Sequence, residues 1–122
     1  MRELNTIQKR EKLNTIYATD EKGNGGAHHE YHIVVEAEED AAYDVRIIKF
    51  QEGPRKDINS TQGIIDSDLL EIVRDRLKSF QSSEYACEYN EKALEHIEDA
   101  LTLLNNRVQD RAKRNVLGKY EK

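Results

Sequence analysis

The chain has 122 residues, 35% of them charged and 37% from the AVILMFWYC set, which suits one small domain with a lean core. Its 24 acidic and 19 basic residues leave a net charge of −5, which argues against a general binder of nucleic-acid polymers. No apolar run approaches the ~20 residues of a membrane-spanning helix, the polar N-terminus does not match a secretory signal, and the single Cys87 excludes an internal disulfide and suits a reducing cytosol.

Residues 1–12 are polar and of mixed charge. Leu4-Asn5-Thr6-Ile7 recurs as Leu13-Asn14-Thr15-Ile16, but four residues are too few for a structural repeat. Three strands follow. Leu13 to Thr19 is short and β-rich, and the glycine loop Gly23-Asn24-Gly25-Gly26 ends it. Tyr31 to Glu36 is dense in β-branched residues, and Glu38-Glu39-Asp40 forms a charged turn. Tyr43 to Phe50 is the third strand, closed by Gly53-Pro54. Connections this short favour antiparallel pairing.

A first helix spans 66–82, with Leu69, Leu70, Ile72, Val73, Leu77 and Phe80 as its apolar stripe and Asp66 or Ser67 as N-cap. Ser82-Ser83 breaks it. A second helix runs from about Tyr85 to about Leu117, with no glycine or proline before Gly118. Its stripe is Cys87, Leu94, Ile97, Leu101, Leu104 and Val108, flanked by the small Ala93 and Ala100. The expected architecture is α+β in one domain over 1–122: a small antiparallel sheet over 13–52, then a helical hairpin over 66–117. The long helix outruns what three strands can cover, so a homo-oligomer is expected, a dimer or a multiple of dimers, with the sheet edge or the long helix at the interface.

The chemistry-bearing residues give catalysis no support, and no enzyme is expected. His28, Glu30 and His32 would share one strand face, a conceivable metal triad, but no second cluster adds ligands and ordinary strand histidines is the simpler reading. The glycine loop lacks the Lys-Ser/Thr of a phosphate loop. Cys87 reads as a small buried residue. No nucleophile–base pair, metal or cofactor is expected. The more informative anomaly is polar residues on the seam of the long helix: Asn90 and Arg111 both fall on it, with Arg107 one turn before Arg111. A seam asparagine can fix register, and a seam arginine can be paired or can snorkel to water. Two arginines four apart can also hold a phosphate through their planar forks. Residues 84–99 carry six acids and one base, whereas 107–114 carry Arg107, Arg111, Lys113 and Arg114 against Asp110, and Arg55-Lys56 add a second basic spot. A local basic patch on an acidic chain suits a small anion; spacing alone leaves this open against a merely solvated helix end.

Three stretches carry a family resemblance: Ile16-Tyr17-Ala18-Thr19-Asp20 with Gly25-Gly26-Ala27-His28-His29-Glu30-Tyr31; Asp75-Arg76-Leu77-Lys78-Ser79-Phe80-Gln81 with Ala86-Cys87; and Ala93-Leu94, Ala100-Leu101, Leu104-Asn105-Asn106-Arg107, Asp110-Arg111 and Arg114. Together, over roughly 13–117, they resemble the phage Thoeris anti-defence proteins, sponges for glycocyclic ADP-ribose (the 1''-2' or 1''-3' isomer). The hairpin is also similar to that of phage anti-CBASS sponges for cyclic di- and trinucleotides. The ending Asn115-Val116-Leu117-Gly118-Lys119-Tyr120 departs from the Gly-x-x-Gly-Thr-His-like ending of relatives. The resemblance implies a protein in the host bacterial cytoplasm that binds the signal intact and keeps an effector NADase silent, with no nucleic-acid polymer, membrane or cofactor involved. It implies Phe80 and Asn90 around the adenine, and Arg107, Arg111 and Arg55 as phosphate contacts, with Tyr17, Tyr31 and the glycine loop as a second wall from the same or a partner chain. The rival expectations are a cyclic-oligonucleotide sponge and a non-catalytic phage protein acting through protein contacts.

Overall fold

The computed structural model describes residues 1–36, 44–117 and 119. The chain forms two compact units, Met1–Ile64 and Ile65–Lys122. The first is a four-stranded antiparallel meander of β1 (Arg2–Glu3), β2 (Asn14–Ala18), β3 (Glu30–Val35) and β4 (Asp44–Lys49), in that spatial order. The second is a hairpin of α1 (Asp66–Gln81) and α2 (Glu88–Lys113). The class is α+β, as the patterning predicts.

β2, β3 and β4 are the strands anticipated from β-branched content. β1 was not anticipated: a two-residue strand has no readable alternation, and it forms because β2 offers it a ladder, with the Leu4 N–H reaching the Ile16 carbonyl at 2.9 Å. Cross-strand rows set the faces. Ile16, Ile33 and Arg46 share one face with Ala18, Tyr31 and Ile48; Tyr17, His32 and Ile47 lie on the other. Ala18 is 2% exposed, and Tyr31 meets Phe50 edge to face with ring centroids 5.8 Å apart. Beyond β4 the chain doubles back, with bridges from Phe50 to Ile64 and from Glu52 to Thr61. The charged turn at Glu38-Glu39-Asp40 and the strand start at Tyr43 lie outside the described residues.

In the hairpin, four expectations are corrected. First, α1 is not capped by Asp66 or Ser67. The cap residue is Ile65, in extended conformation, and the Asp68 carboxylate reaches back to accept its N–H at 2.9 Å. Second, Cys87 does not sit on the seam. Its backbone is extended (φ −154°, ψ 162°), so it precedes the helix; it is exposed and its sulfur accepts the Asn90 N–H at 3.4 Å as the N-cap of α2. Third, α2 ends at Lys113 rather than near Leu117, because Asn115 takes a left-handed φ of 59° and turns the chain. Fourth, the stripes are wider than the hairpin covers. Leu70, Leu77, Leu94, Ile97, Leu101 and Leu104 are half-buried, but Ile72, Phe80 and Val108 are exposed. The break at Ser82-Ser83 stands where the sequence puts it, with the two hydroxyls donating to the Lys78 and Phe80 carbonyls. Among the described residues only Ala18 and Val116 are buried and apolar.

Candidate functional site

In the sheet unit the clustered histidines and their neighbouring carboxylates bond within their own chain. Each of the three half-buried histidines of the 28–32 cluster meets one carboxylate: His28 and Asp20 at 3.4 Å, His29 and Glu52 at 3.4 Å, His32 and Glu30 at 3.3 Å. Asp20 also accepts the His29 backbone N–H at 2.9 Å. Burial pushes the Asp20 carboxyl up, but its backbone hydrogen bonds outweigh that and hold it below its ordinary value. Glu30 is lowered chiefly by the Thr19 hydroxyl, which donates to it at 2.8 Å. The three histidines therefore have separate partners, and among the described residues no group of three His, Cys, Asp or Glu is placed to hold a metal ion. Arg55 is a loop clasp: its guanidinium donates to Gln62 Oε1 at 3.2 Å and to the Gly63 carbonyl at 3.0 Å.

The other four singled-out residues lie in the hairpin, at its two ends. Phe80 occupies the last turn of α1, 37% exposed, with the Arg76 guanidinium 5.3 Å from its ring centroid. Asn90, half-buried, lies in the first turn of α2. Arg107 and Arg111 lie a turn apart near the far end of α2. Seventeen residues separate Asn90 from Arg107, about 25 Å along the helix at 1.5 Å per residue. The hairpin of one chain thus brings Phe80 near Asn90 and Arg107 near Arg111, but not one pair to the other.

The two arginines differ sharply. Arg107 is exposed, and its side chain makes no ion pair or hydrogen bond among the described residues. Arg111 is 6% exposed, and its Nη2 donates to the Val116 and Lys119 carbonyls, both at 2.9 Å. It fastens the chain that reverses at Asn115, a role that spacing could not separate from anion binding. Sequence reasoning also missed Arg74, which bridges the helices through Nε to Glu98 at 2.8 Å and contacts Glu71 at 3.4 Å. The hydrogen bond to Glu98 raises its pKa further. These three, with Leu101, Thr102 and Asn105, line a cleft of about 420 Å³. Its signal was present: Leu70, Arg74 and Leu77 follow helical spacing, so the arginine interrupts a seam.

Among the described residues no helix is long and apolar enough to cross a membrane. Residues 43–109 match the family model of the Acb2/Tad1 hairpin domain, a span that holds β4, α1 and α2 as far as Gln109, and so includes Arg107 but stops short of Arg111. A similar curated protein, Thoeris anti-defense 1 of Bacillus phage SBSphiJ7, is 37% identical over 83 residues, which is 68% of this chain and 58% of that protein. The chain therefore spans less than two thirds of that relative's length.

Proposed function

The chain belongs to the Acb2/Tad1 hairpin-domain family, as a phage Thoeris anti-defence protein, and from that premise we propose that it is a sponge: it binds a glycocyclic ADP-ribose signal and holds it without cleaving it. The observation that carries this is Arg107. An exposed guanidinium with no ion pair or hydrogen bond among the described residues, at the basic end of a hairpin in an acidic chain, suits an anion. Arg107 takes the pyrophosphate, and Arg111 adds its charge from below while fastening the helix end. Phe80 offers a ring face to the adenine and Asn90 an amide to its edge. Arg55 is a further phosphate candidate from the sheet unit.

A ligand with one adenine, two riboses and a pyrophosphate cannot reach about 25 Å along α2. A second copy running antiparallel sets the Phe80–Asn90 end of one hairpin level with the Arg107–Arg111 end of the other. The scarcity of buried apolar residues supports the same conclusion, since a lone chain of this size has little to hold it together. The working form is a homo-oligomer in the cytoplasm of the infected host. No catalytic step is invoked: sequestration needs affinity only.

The test is to mix protein with the signal, filter, and assay the filtrate on the effector NADase, then heat the retained complex and assay again. Silent filtrate followed by full recovery of activity supports the sponge. Recovery of linear ADP-ribose or AMP overturns it in favour of an enzyme. Cyclic di- and trinucleotides carried through the same protocol test the alternative ligand class, and the absence of retention for every nucleotide would favour a protein acting through protein contacts.

A further inference from the structure

The second half of α1 holds two arginines with opposite commitments. Arg74 is tied to Glu98 and Glu71. Arg76, two residues on, is exposed and makes no ion pair or hydrogen bond among the described residues; its guanidinium carbon lies 5.3 Å from the centroid of the Phe80 ring. Four residues apart on a helix, the two side chains are neighbours on one side of it. The positions one turn from Arg76 on α1 are Ile72, Val73, Ser79 and Phe80, so no carboxylate of that helix face competes for the guanidinium. We propose that Arg76 is a positioning residue for the adenine site: it occupies one face of Phe80 and leaves the other to the purine, so the ring stacks on one side only. The inference rests on the sponge reading above and assigns a partner to its aromatic platform.

Two effects make the contact useful to a stacked base. An aromatic ring is negative on its faces and positive at its edge, so two rings laid face to face repel through their electron clouds. A cation over one face of Phe80 draws on that cloud and offsets the repulsion felt by a purine on the other. The contact also restrains the ring before any ligand arrives. The backbone around it already has a set place: Gln81 Oε1 accepts the Cys87 N–H at 3.0 Å, and the Cys87 sulfur caps the helix that carries Asn90. The freedom left at Phe80, 37% exposed in the last turn of α1, is that of its ring. A ring that must be ordered on binding lowers affinity, and a guanidinium resting on it removes part of that cost in advance. The rival role for Arg76, direct contact with the phosphates, would not depend on the ring.

The experiment is calorimetric titration of each glycocyclic ADP-ribose isomer into the full chain, comparing the unsubstituted protein with Arg76→Ala, Arg76→Lys, Phe80→Leu and the Arg76→Ala, Phe80→Leu double variant. Arg76→Ala should weaken binding by about three- to tenfold, and Arg76→Lys by less, since an ammonium also rests on a ring face but without the planar stack. In the Phe80→Leu background the same Arg76→Ala change should alter affinity by less than about twofold, because the ring through which it acts is gone. Far-UV circular dichroism checks that the helices persist. If Phe80→Leu unfolds or binds too weakly to titrate, the dependence is read by NMR of ligand-free protein carrying labelled phenylalanine, in which Phe50 and Phe80 are the two phenylalanines. There Arg76→Ala should shift the ring resonances of Phe80 and leave those of Phe50 in place. Unchanged affinity in Arg76→Ala, a loss of equal size with and without the Phe80 ring, or Phe80 resonances that do not move would each overturn the positioning role while leaving the sponge standing. An unsubstituted protein that binds neither isomer overturns both.

Discussion

The candidate residues of the two units use their polar side chains differently. In Met1–Ile64, Asp20, Glu30, Glu52, Arg55 and the half-buried histidines bond to loops and strands of the same unit. In the hairpin, Glu88 and Arg107 project from α2 with no ion pair among the described residues, and Ile72, Leu103 and Phe80 stay exposed. Side chains that satisfy one another specify a fold; those left open at a helix face specify something outside the chain. Arg111 crosses the division, since it belongs to the hairpin yet is buried and bonded like a residue of the sheet unit.

The sharpest test of the sheet unit's self-sufficiency is Gly63→Ala. A Cβ there would lie 2.4 Å from the Lys49 carbonyl oxygen, 2.6 Å from the Phe50 carbonyl carbon and 2.8 Å from the Gln51 nitrogen, all backbone atoms that cannot yield without opening the bridge to Ile64. The expected loss is at the upper end of about 1–3 kcal/mol, read from the urea midpoint. Gly23→Ala is the control. Its Cβ would press on the tip of the Glu52 side chain, with His29 Nδ1 at an ordinary 3.6 Å; the carboxylate can swing away at the loss of its contacts with the Asn24 N–H and His29, so the loss should be smaller. Equal effects would mean that the loop after β4 is as adaptable as the glycine loop.

Next in size is the pair of arginines, which sets the comparison inside one helix. Arg111→Ala should destabilise the apo protein by about 1.5–3 kcal/mol, the scale of losing charged hydrogen bonds, here to the carbonyls of the buried Val116 and of Lys119. Arg107→Ala should leave apo stability within about 0.5 kcal/mol, because the side chain is exposed and makes no ion pair or hydrogen bond among the described residues, yet weaken ligand binding by roughly ten- to a hundredfold. Thermal denaturation and calorimetric titration of the two variants separate the roles. A melting loss in Arg107→Ala equal to that in Arg111→Ala would erase the distinction.

That distinction marks where the sequence stops being informative. Periodicity placed β2, β3, β4 and both helices, since alternation and the i, i+3/i+4 stripe act over many residues. It could not place β1, whose two residues pair only because β2 is there, nor the helix starts, which turn on single cap residues. Cys87 looked like a seam residue because extrapolating a heptad one step past the helix end gives no warning that the backbone has left it. The candidate site was legible as residue types, Phe80 and Asn90 at one end of α2 and Arg107 and Arg111 at the other. Which guanidinium faces water is decided by the reversal at Asn115, and no spacing rule encodes that.

The smallest effect expected is acid sensitivity confined to the sheet unit. Glu30 is held below its ordinary value of 4.5 by the Thr19 hydroxyl against the opposing effect of burial, with Lys49 and His32 adding to the lowering; Asp20, raised by burial but lowered further by backbone N–H groups, lies below 3.8. A carboxylate whose folded pKa is depressed contributes stability that is fully present above its unfolded pKa and is lost as pH falls through the folded one. The loss from Glu30 should therefore begin below about pH 4.5, and that from Asp20 below about pH 3.8. Both groups are partly open to solvent, so the effect is modest and salt will shrink it. In the hairpin the Glu98 carboxylate holds the Arg74 guanidinium above its ordinary value, which has no consequence in acid. Hydrogen exchange followed by NMR between pH 5 and pH 3.5 should show the amides of β2 and β3 losing protection ahead of those at the centre of α2, after correction for intrinsic exchange. Thr19→Val removes the hydroxyl and with it the largest lowering of Glu30, so part of that acid loss should disappear while the Asp20 part remains. An unaltered acid profile in Thr19→Val would detach the sensitivity from this hydrogen bond.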